Sequence, residues 1–226
     1  KKGECYLLSS KMKNVLLINK PSGITSYDVI RVLKRKLHPK KIGHAGTLDP
    51  LASGLLIILI DDATKKSEKF MGMGKRYRVE MQLGVKTDTG DLDGKIICKE
   101  KPPELTEKEV KAALKKFEGK IEQIPPMYSA IKYKGKKLYE YARAGIKIKI
   151  EPRIVEIKKI KLMSLSHQTI ELQVDCSKGT YIRTLVEDIA KQLKTYSAVS
   201  QLVRERIGRY SLSKAIDLKA IKGNDQ

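Results

Sequence analysis

One acidic residue stands in the stretch Gly43-His44-Ala45-Gly46-Thr47-Leu48-Asp49-Pro50-Leu51-Ala52-Ser53-Gly54-Leu55-Leu56. That residue is Asp49. Three glycines and a proline in so short a span mark a tight, fixed loop. The loop feeds the apolar run Leu55-Leu56-Ile57-Ile58-Leu59-Ile60, which reads as a buried strand. A lone carboxylate on a rigid loop against a core strand could serve as nucleophile, proton carrier or electrostatic group. It could equally be a turn that bonds its own backbone. On residue types alone the turn is the stronger reading.

A second chemical cluster lies at Cys176-Ser177-Lys178-Gly179-Thr180-Tyr181-Ile182-Arg183. The glycine turn puts Tyr181 and Arg183 at a strand-to-helix junction. An arginine near a helix start opposes the helix dipole, so a carboxylate or phosphate partner is expected there. A third cluster runs from Gln123 to Arg153. Between Met127 and Arg153 it holds Lys132, Lys134, Lys136, Lys137, Arg143, Lys147, Lys149 and Arg153 against only Glu140 and Glu151, with four of the chain's ten tyrosines. Cations grip phosphates and aromatic rings stack on bases, so this segment is expected to contact RNA. The bland alternative is a solvated hairpin whose tyrosines fill gaps.

The elements that must position these groups follow from patterning. A short strand at 14–19 precedes the turn Lys20-Pro21-Ser22-Gly23. Thr25 or Ser26 caps a helix to about Leu37, and His38-Pro39 ends it. The basic run Lys34-Arg35-Lys36, with Lys40-Lys41, leads into the Asp49 loop. A second helix is expected over Asp61–Met73. Lys75–Leu83, which carries Tyr77, alternates as a half-buried strand should. Thr87–Gly94 is a turn rather than a calcium loop, because its acidic residues miss the required register, and Lys95–Cys98 is its return strand. Thr106-Glu107-Lys108-Glu109 is a capping box for a helix carrying Val110, Ala113, Leu114 and Phe117 and stopped by Gly119. Ile154–Ser164 and Gln168–Asp175 read as paired strands, then a helix to about Leu193. A last short helix is expected around Leu202-Val203-Arg204-Glu205. Hairpins mixed with crossovers imply an α+β fold on a mixed, largely antiparallel central sheet flanked by helices.

The net charge of +21 over 226 residues, from 47 Lys+Arg against 26 Asp+Glu, calls for a polyanionic partner. No apolar run approaches the roughly 18 residues of a membrane span. Cys5, Cys98 and Cys176 are scattered, as are His38, His44 and His167. No metal, no cofactor and a reducing, cytoplasmic setting are the expectation. Residues 1–13 read as a flexible extension within which Met12 could be a start.

Taken together these pieces resemble the TruB family of tRNA pseudouridine synthases. The carriers are Lys20-Pro21-Ser22-Gly23-Ile24-Thr25-Ser26, Gly43 to Pro50, Lys75-Arg76-Tyr77, Thr87-Asp88-Thr89-Gly90-Asp91, Pro125-Pro126 with Ser129-Ala130, and Gly179-Thr180-Tyr181-Ile182-Arg183. Six in the family's order overturn the turn-only reading of Asp49. The resemblance implies isomerisation of one uridine to pseudouridine at position 55 in the TΨC loop of tRNA, with the base flipped out of its stack. It implies that Asp49 is the catalytic aspartate, that Tyr77 stacks on the flipped base, and that Arg183 pairs with the aspartate. It places His44 near the flipped nucleotide, Leu202 as an apolar site residue and Lys20 in the site's supporting motif. Tyr181, Lys132 and Arg143 complete the expected substrate contacts, the last two in a thumb-like insertion at about 123–153 that closes over the T-loop. The protein is expected to be a monomer whose catalytic domain spans 14–226, without the C-terminal PUA-type domain of most members. Two local departures stand out. Asn19 replaces a frequent Asp, and Tyr196-Ser197-Ala198 replaces a Gly-Ala-His-like stretch.

The chemistry is consistent with this composition. Breaking N1–C1′, turning the uracil and rejoining it through C5 is an isomerisation that needs no electron acceptor or nucleotide energy source. It needs an ionised carboxylate, which a nearby arginine favours, and an aromatic face for the extruded base. Whether Asp49 attacks C1′, attacks C6 or assists a glycal-type path stays open. The competing readings are a non-catalytic RNA-binding or folding module, the catalytic subunit of a guide-RNA particle, and a generic DNA binder. The last lacks any helix-turn-helix or zinc signal.

Overall fold

The structure is a computed structural model that describes residues 14–221, so the expected extension 1–13 and the tail from Asn224 lie outside the described residues. The fold is α+β with a mostly antiparallel sheet. The chain forms two compact units, one of residues up to Tyr77 together with those from Val203 onward, the other Arg78–Leu202.

The first unit opens with β1 (Val15–Lys20) and α1 (Ser26–Leu37). Thr25 is the helix cap. Its side chain accepts from the Asp28 amide while the Asp28 carboxylate accepts from the Thr25 amide, a reciprocal box that satisfies two orphan donors. Val29, Ile30 and Leu33 are the buried stripe, and His38 ends the helix in the left-handed conformation. Next come β2 (Ile42–His44) and β3 (Ser53–Ile60). Asp61–Met73 is not one helix. A tight 3-10 segment, Asp61–Lys66, precedes a short α2, Ser67–Met71. Asp61 takes φ +48 and spends its carboxylate on the Lys41 amide, which sets the chain off at an angle no α-helix start would allow.

The strand β4 (Lys75–Leu83) leads into the second unit. There follow the hairpin β5 (Val85–Thr87) and β6 (Ile96–Lys99), then α3 (Glu107–Lys115) with the expected Thr106–Glu109 capping box. Then come β7 (Gly119–Gln123), the small hairpin β8 (Lys132–Tyr133) and β9 (Lys136–Lys137), and α4 (Leu138–Arg143). The long pair β10 (Arg153–Leu165) and β11 (Thr169–Cys176) is antiparallel, as read from the sequence, and β7 pairs with the start of β10. Within this unit the strand order is β4, β11, β10, β7. The amphipathic α5 (Ile182–Gln192) buries Ile182, Leu185, Val186 and Ile189.

The segment around Leu202 is not a helix. It lies in the strand β12 (Ser197–Ile207), whose later half returns to the first unit. Burial there alternates, with Leu202 and Arg204 inward and Val203 and Glu205 less so. That period of two is a strand's, not a helix's. The short β13 (Tyr210–Ser211) and β14 (Ile216–Asp217) finish the unit. Here β3 is the spine. It pairs antiparallel with β1 and β2 and parallel with β12. Its apolar run packs with Val15, Leu17, Ala45, Phe70 and Ile207 in one buried cluster. The sheet thus fixes the two strands between which the Asp49 loop is slung.

Candidate active site and RNA-contact segment

Asp49 sits half-buried on the loop joining β2 and β3. The loop's stem is set by the ladder His44–Ile58 and by the Ala45 amide bonding the Ile57 carbonyl at 2.9 Å. At the tip the Ala52 amide donates to the Asp49 carbonyl at 3.1 Å, so the backbone of Asp49 does close a turn. The Lys20–Ser26 motif packs under this tip. Gly23 donates its amide to Pro50 O (2.9 Å), Ser22 donates its hydroxyl to Leu51 O (2.7 Å), and the Ser26 hydroxyl both accepts from Leu48 N (2.8 Å) and donates to Leu48 O (3.1 Å). Lys20 is fully buried. Its ammonium donates to Ile24 O at 2.6 Å, Pro21 O at 2.9 Å and Pro50 O at 3.3 Å. A buried ammonium is costly unless its protons are bonded, and here they are spent on the carbonyls of the loop and its support.

From the other side comes Arg204, only 1% exposed. Its guanidinium donates to Gly46 O (3.0 Å), Thr47 O (3.1 Å) and Leu55 O (2.8 Å). His44 stands at the loop's entry, half-buried, with Nδ1 buried and making no hydrogen bond. Burial first, and the Arg204 charge second, hold its pKa below the usual histidine range, so it is a neutral imidazole at neutral pH. Tyr77, 9% exposed, lies on β4 at the end of this unit. The first unit therefore carries Lys20, His44, Asp49 and Tyr77.

The second unit carries Arg183, Tyr181, Leu202, Lys132 and Arg143. Tyr181 caps α5 and is gripped by the Gln123 amide. The Tyr181 N–H donates to Oε1 at 2.7 Å, and Nε2 donates to the Tyr181 carbonyl at 3.0 Å. Arg183, 5% exposed, donates to Thr89 O at 2.6 Å and Tyr128 O at 2.8 Å, and its Nε lies 3.7 Å from Asp91 Oδ2. One carboxylate near the helix start is thus Asp91, itself oriented by the Thr89 hydroxyl at 2.6 Å. Gly90 between them has φ +79, and a Cβ there would fall 2.9 Å from Glu187 Oε1 and 3.3 Å from the Arg183 Cβ, so a side chain at this position would be strained. Leu202 is buried on β12. Asp91 and Arg204 were not singled out in the sequence. In the sequence Asp91 figures only as the last residue of the Thr87–Asp91 motif, with no role attached; Arg204 could have been found as a charge at an inward position of a strand, had β12 been read as one.

Lys132 and Arg143 are exposed on the hairpin-helix segment. Tyr139 there has the Lys137 ammonium and the Arg143 guanidinium each 5.4 Å from its ring centre. Tyr133 and Tyr141 meet edge to face at 6.1 Å, with Lys134 over Tyr133. The cations hold the rings by cation–π attraction and leave a positive, aromatic surface. Among the described residues no cluster of three or more His, Cys, Asp or Glu could hold a metal ion, and no helix is long and apolar enough to cross a membrane.

The family model of the TruB family pseudouridylate synthase N-terminal domain matches residues 34–182. The chain belongs to the TruB family. Its relatives include the tRNA pseudouridine synthase B of Endomicrobium trichonymphae, 43% identical over 96% of this chain and 94% of that protein. That of Bordetella avium is 46% identical over 93% of this chain and 87% of its own length. In three dimensions this TruB-family chain is similar to a chain of a solved Cbf5-Nop10-Gar1 complex, with TM-score 0.70 and 27% identity over 91% of this chain and 52% of that one. An H/ACA RNP bound to a substrate RNA containing 2'-deoxyuridine gives TM-score 0.68 at 25% identity over 91% of this chain and 51% of that one. The chain thus spans about half the length of those two solved chains.

Proposed function

We propose that this protein isomerises uridine to pseudouridine in tRNA, at position 55 of the TΨC loop, working as a monomer in the cytoplasm. The observation that carries this reading is the likeness, over more than nine-tenths of the chain, to proteins named tRNA pseudouridine synthase B. Asp49 is the catalytic carboxylate. A half-buried group on a loop braced at Leu48, Pro50 and Leu51 can be presented to a substrate without loss of position. Tyr77 supplies the ring that receives the extruded uracil, and Leu202 an apolar wall. Arg183 supplies positive charge for the aspartate. His44, held neutral, brings an uncharged imidazole near the nucleotide rather than a second charge. Lys20 supports the loop from beneath. In the reaction the N1–C1′ bond breaks, the uracil turns within the site, C5 bonds C1′, and the C5 hydrogen leaves as a proton that is replaced at N1. No oxidant or reductant enters that balance.

Lys132 and Arg143, within the segment 123–153, belong to a thumb that closes on the T-loop, the cations on phosphates and the tyrosines on bases, and Tyr181 adds a substrate contact outside it. The scattered cysteines suit a reducing compartment. The test is tritium release from tRNA carrying [5-³H]uridine, for the parent and for Asp49→Ala. Release by the parent and none by a variant that still binds tRNA is expected. Equal release by both would withdraw Asp49, and binding without release by either would favour a pure RNA binder. The likeness to the Cbf5 complex supports a second reading, a guide-RNA particle subunit. That reading requires activity on tRNA to depend on an added guide RNA.

A further inference from the structure

Arg204 is one of the two largest fully buried side chains among the described residues, and nothing in the proposed reaction uses it. Its surroundings are unusual for a buried cation. The hydrogen bonds it makes go to backbone oxygens, and those oxygens flank a single turn. Gly46 and Thr47 lie on the limb that enters the Asp49 turn, and Leu55 lies on the limb that leaves it. A planar guanidinium with donors in a fixed fork can hold three such points at once, whereas a lysine ammonium cannot reach them with the same geometry. The backbone makes the same connection independently. Arg204 pairs with Gly54 in the parallel ladder of β12 and β3, and a Cβ on Gly54 would fall 2.6 Å from the Arg204 carbonyl oxygen and 2.8 Å from its nitrogen. Gly54 has φ +101, and Gly46, with φ +104, leaves 3.7 Å to the guanidinium. Gly54, the last glycine of the loop, is thus placed where the Arg204 backbone approaches.

We propose that Arg204 is the positioning residue of the Asp49 loop, its guanidinium fastening the entering and leaving limbs together so that the carboxylate between them keeps one reactive geometry. This rests on the reading of Asp49 as the catalytic carboxylate. It assigns Arg204 no contact with RNA. A displacement of about 1 Å at a catalytic group costs on the order of 100-fold in rate, while binding surfaces elsewhere are untouched. The signature is therefore a loss in the chemical step without a matching loss in tRNA affinity.

The experiment compares the parent with Arg204→Lys and Arg204→Ala. Single-turnover tritium release and tRNA affinity are measured for each, with and without millimolar guanidinium chloride. Amide hydrogen exchange of the free proteins is followed at residues 45–52 and 15–20. The expected result is a rate lower by about 10- to 100-fold in both variants, tRNA Kd within about threefold of the parent, and faster exchange at 45–52 with 15–20 unchanged. Partial recovery of the Arg204→Ala rate by guanidinium is also expected, since that ion fits the vacated space. A folded Arg204→Lys with the parental rate would overturn the proposal. So would exchange that accelerates equally in both segments, or rate and affinity falling together, since either makes Arg204 a general fold residue. Absence of release from the parent would count against the proposed reaction instead, and the exchange comparison would still decide whether Arg204 holds the loop.

Discussion

The Arg183 Nε lies 3.7 Å from Asp91 Oδ2, and both side chains are less than a tenth exposed. A buried guanidinium is tolerated here because a carboxylate and two carbonyls converge on it. Asp91→Asn preserves shape but removes that charge. Taking one partner from a buried ion pair costs about 3 kcal/mol or more, so urea denaturation will show that loss, and tritium release will fall at least about tenfold, in line with a cation no longer held in place. An unchanged denaturation midpoint would mean that Asp91 is incidental.

His44 gives a pH prediction with a definite sign. Burial holds its folded pKa below the ordinary histidine value of about 6.5. Between the folded value and about 6.5 the unfolded chain therefore binds more protons at this position. Its contribution to stability is fully present above about pH 6.5 and falls as the pH drops through that value toward the folded pKa. His44→Phe removes the titration, so the slope of stability against pH between 5 and 6.5 will be shallower in the variant. An unchanged slope would mean that the ring is charged in the folded protein or free to reach solvent.

Gly54→Ala will be among the most disruptive single-methyl changes in the chain. It places a Cβ 2.6 Å from a backbone oxygen and forces a left-handed conformation on an L residue. About 3 kcal/mol or more of stability will be lost. A denaturation midpoint near that of the parent would show that β12 can shift away from β3.

The substitution noted at Asn19 has a structural partner. Its amide donates to Asp217 Oδ1 at 2.8 Å, and the two residues face each other in the β1–β14 ladder. Asn19→Asp sets two carboxylates together. The pair will hold a proton more readily when folded, so the variant will lose roughly 0.5–1 kcal/mol at neutral pH and recover it below about pH 4. Equal stability of variant and parent at pH 7 would show that a cation has moved in.

What the sequence made legible was local. The capping box of α3 was legible at Thr106 because Glu109 lies three positions on, whereas at α1 the sequence left Thr25 and Ser26 both open as caps and the structure takes Thr25. The bounds Lys75–Leu83 follow from alternation alone. The Asp49 loop could be located through its glycines and proline, while only the six family motifs gave its carboxylate a role. The misread elements had no local cause. Asp61 takes a positive φ because the Lys41 amide needs a partner, twenty residues away in the chain. The helix expected around Leu202 is a strand because β3 offers it a parallel edge. The two polar residues missed, Asp91 and Arg204, meet their partners across 92 and 158 positions respectively. No window of the sequence contains both ends of either contact.

The span between Arg204 and Gly46 also bears on synthesis. A ribosome releases the Asp49 loop early, and β1, α1, β2 and β3 can begin to pair as soon as they emerge. The guanidinium that fastens the loop comes off some 158 residues later, about ten to thirty seconds at ordinary elongation rates. A nascent chain interrupted before position 204 would hold Asp49, Tyr77 and Lys20 while lacking the tie. On the proposed role of Arg204, catalytic competence would be acquired only near the completion of β12, so truncated products would reach RNA with their cations but without a fixed carboxylate.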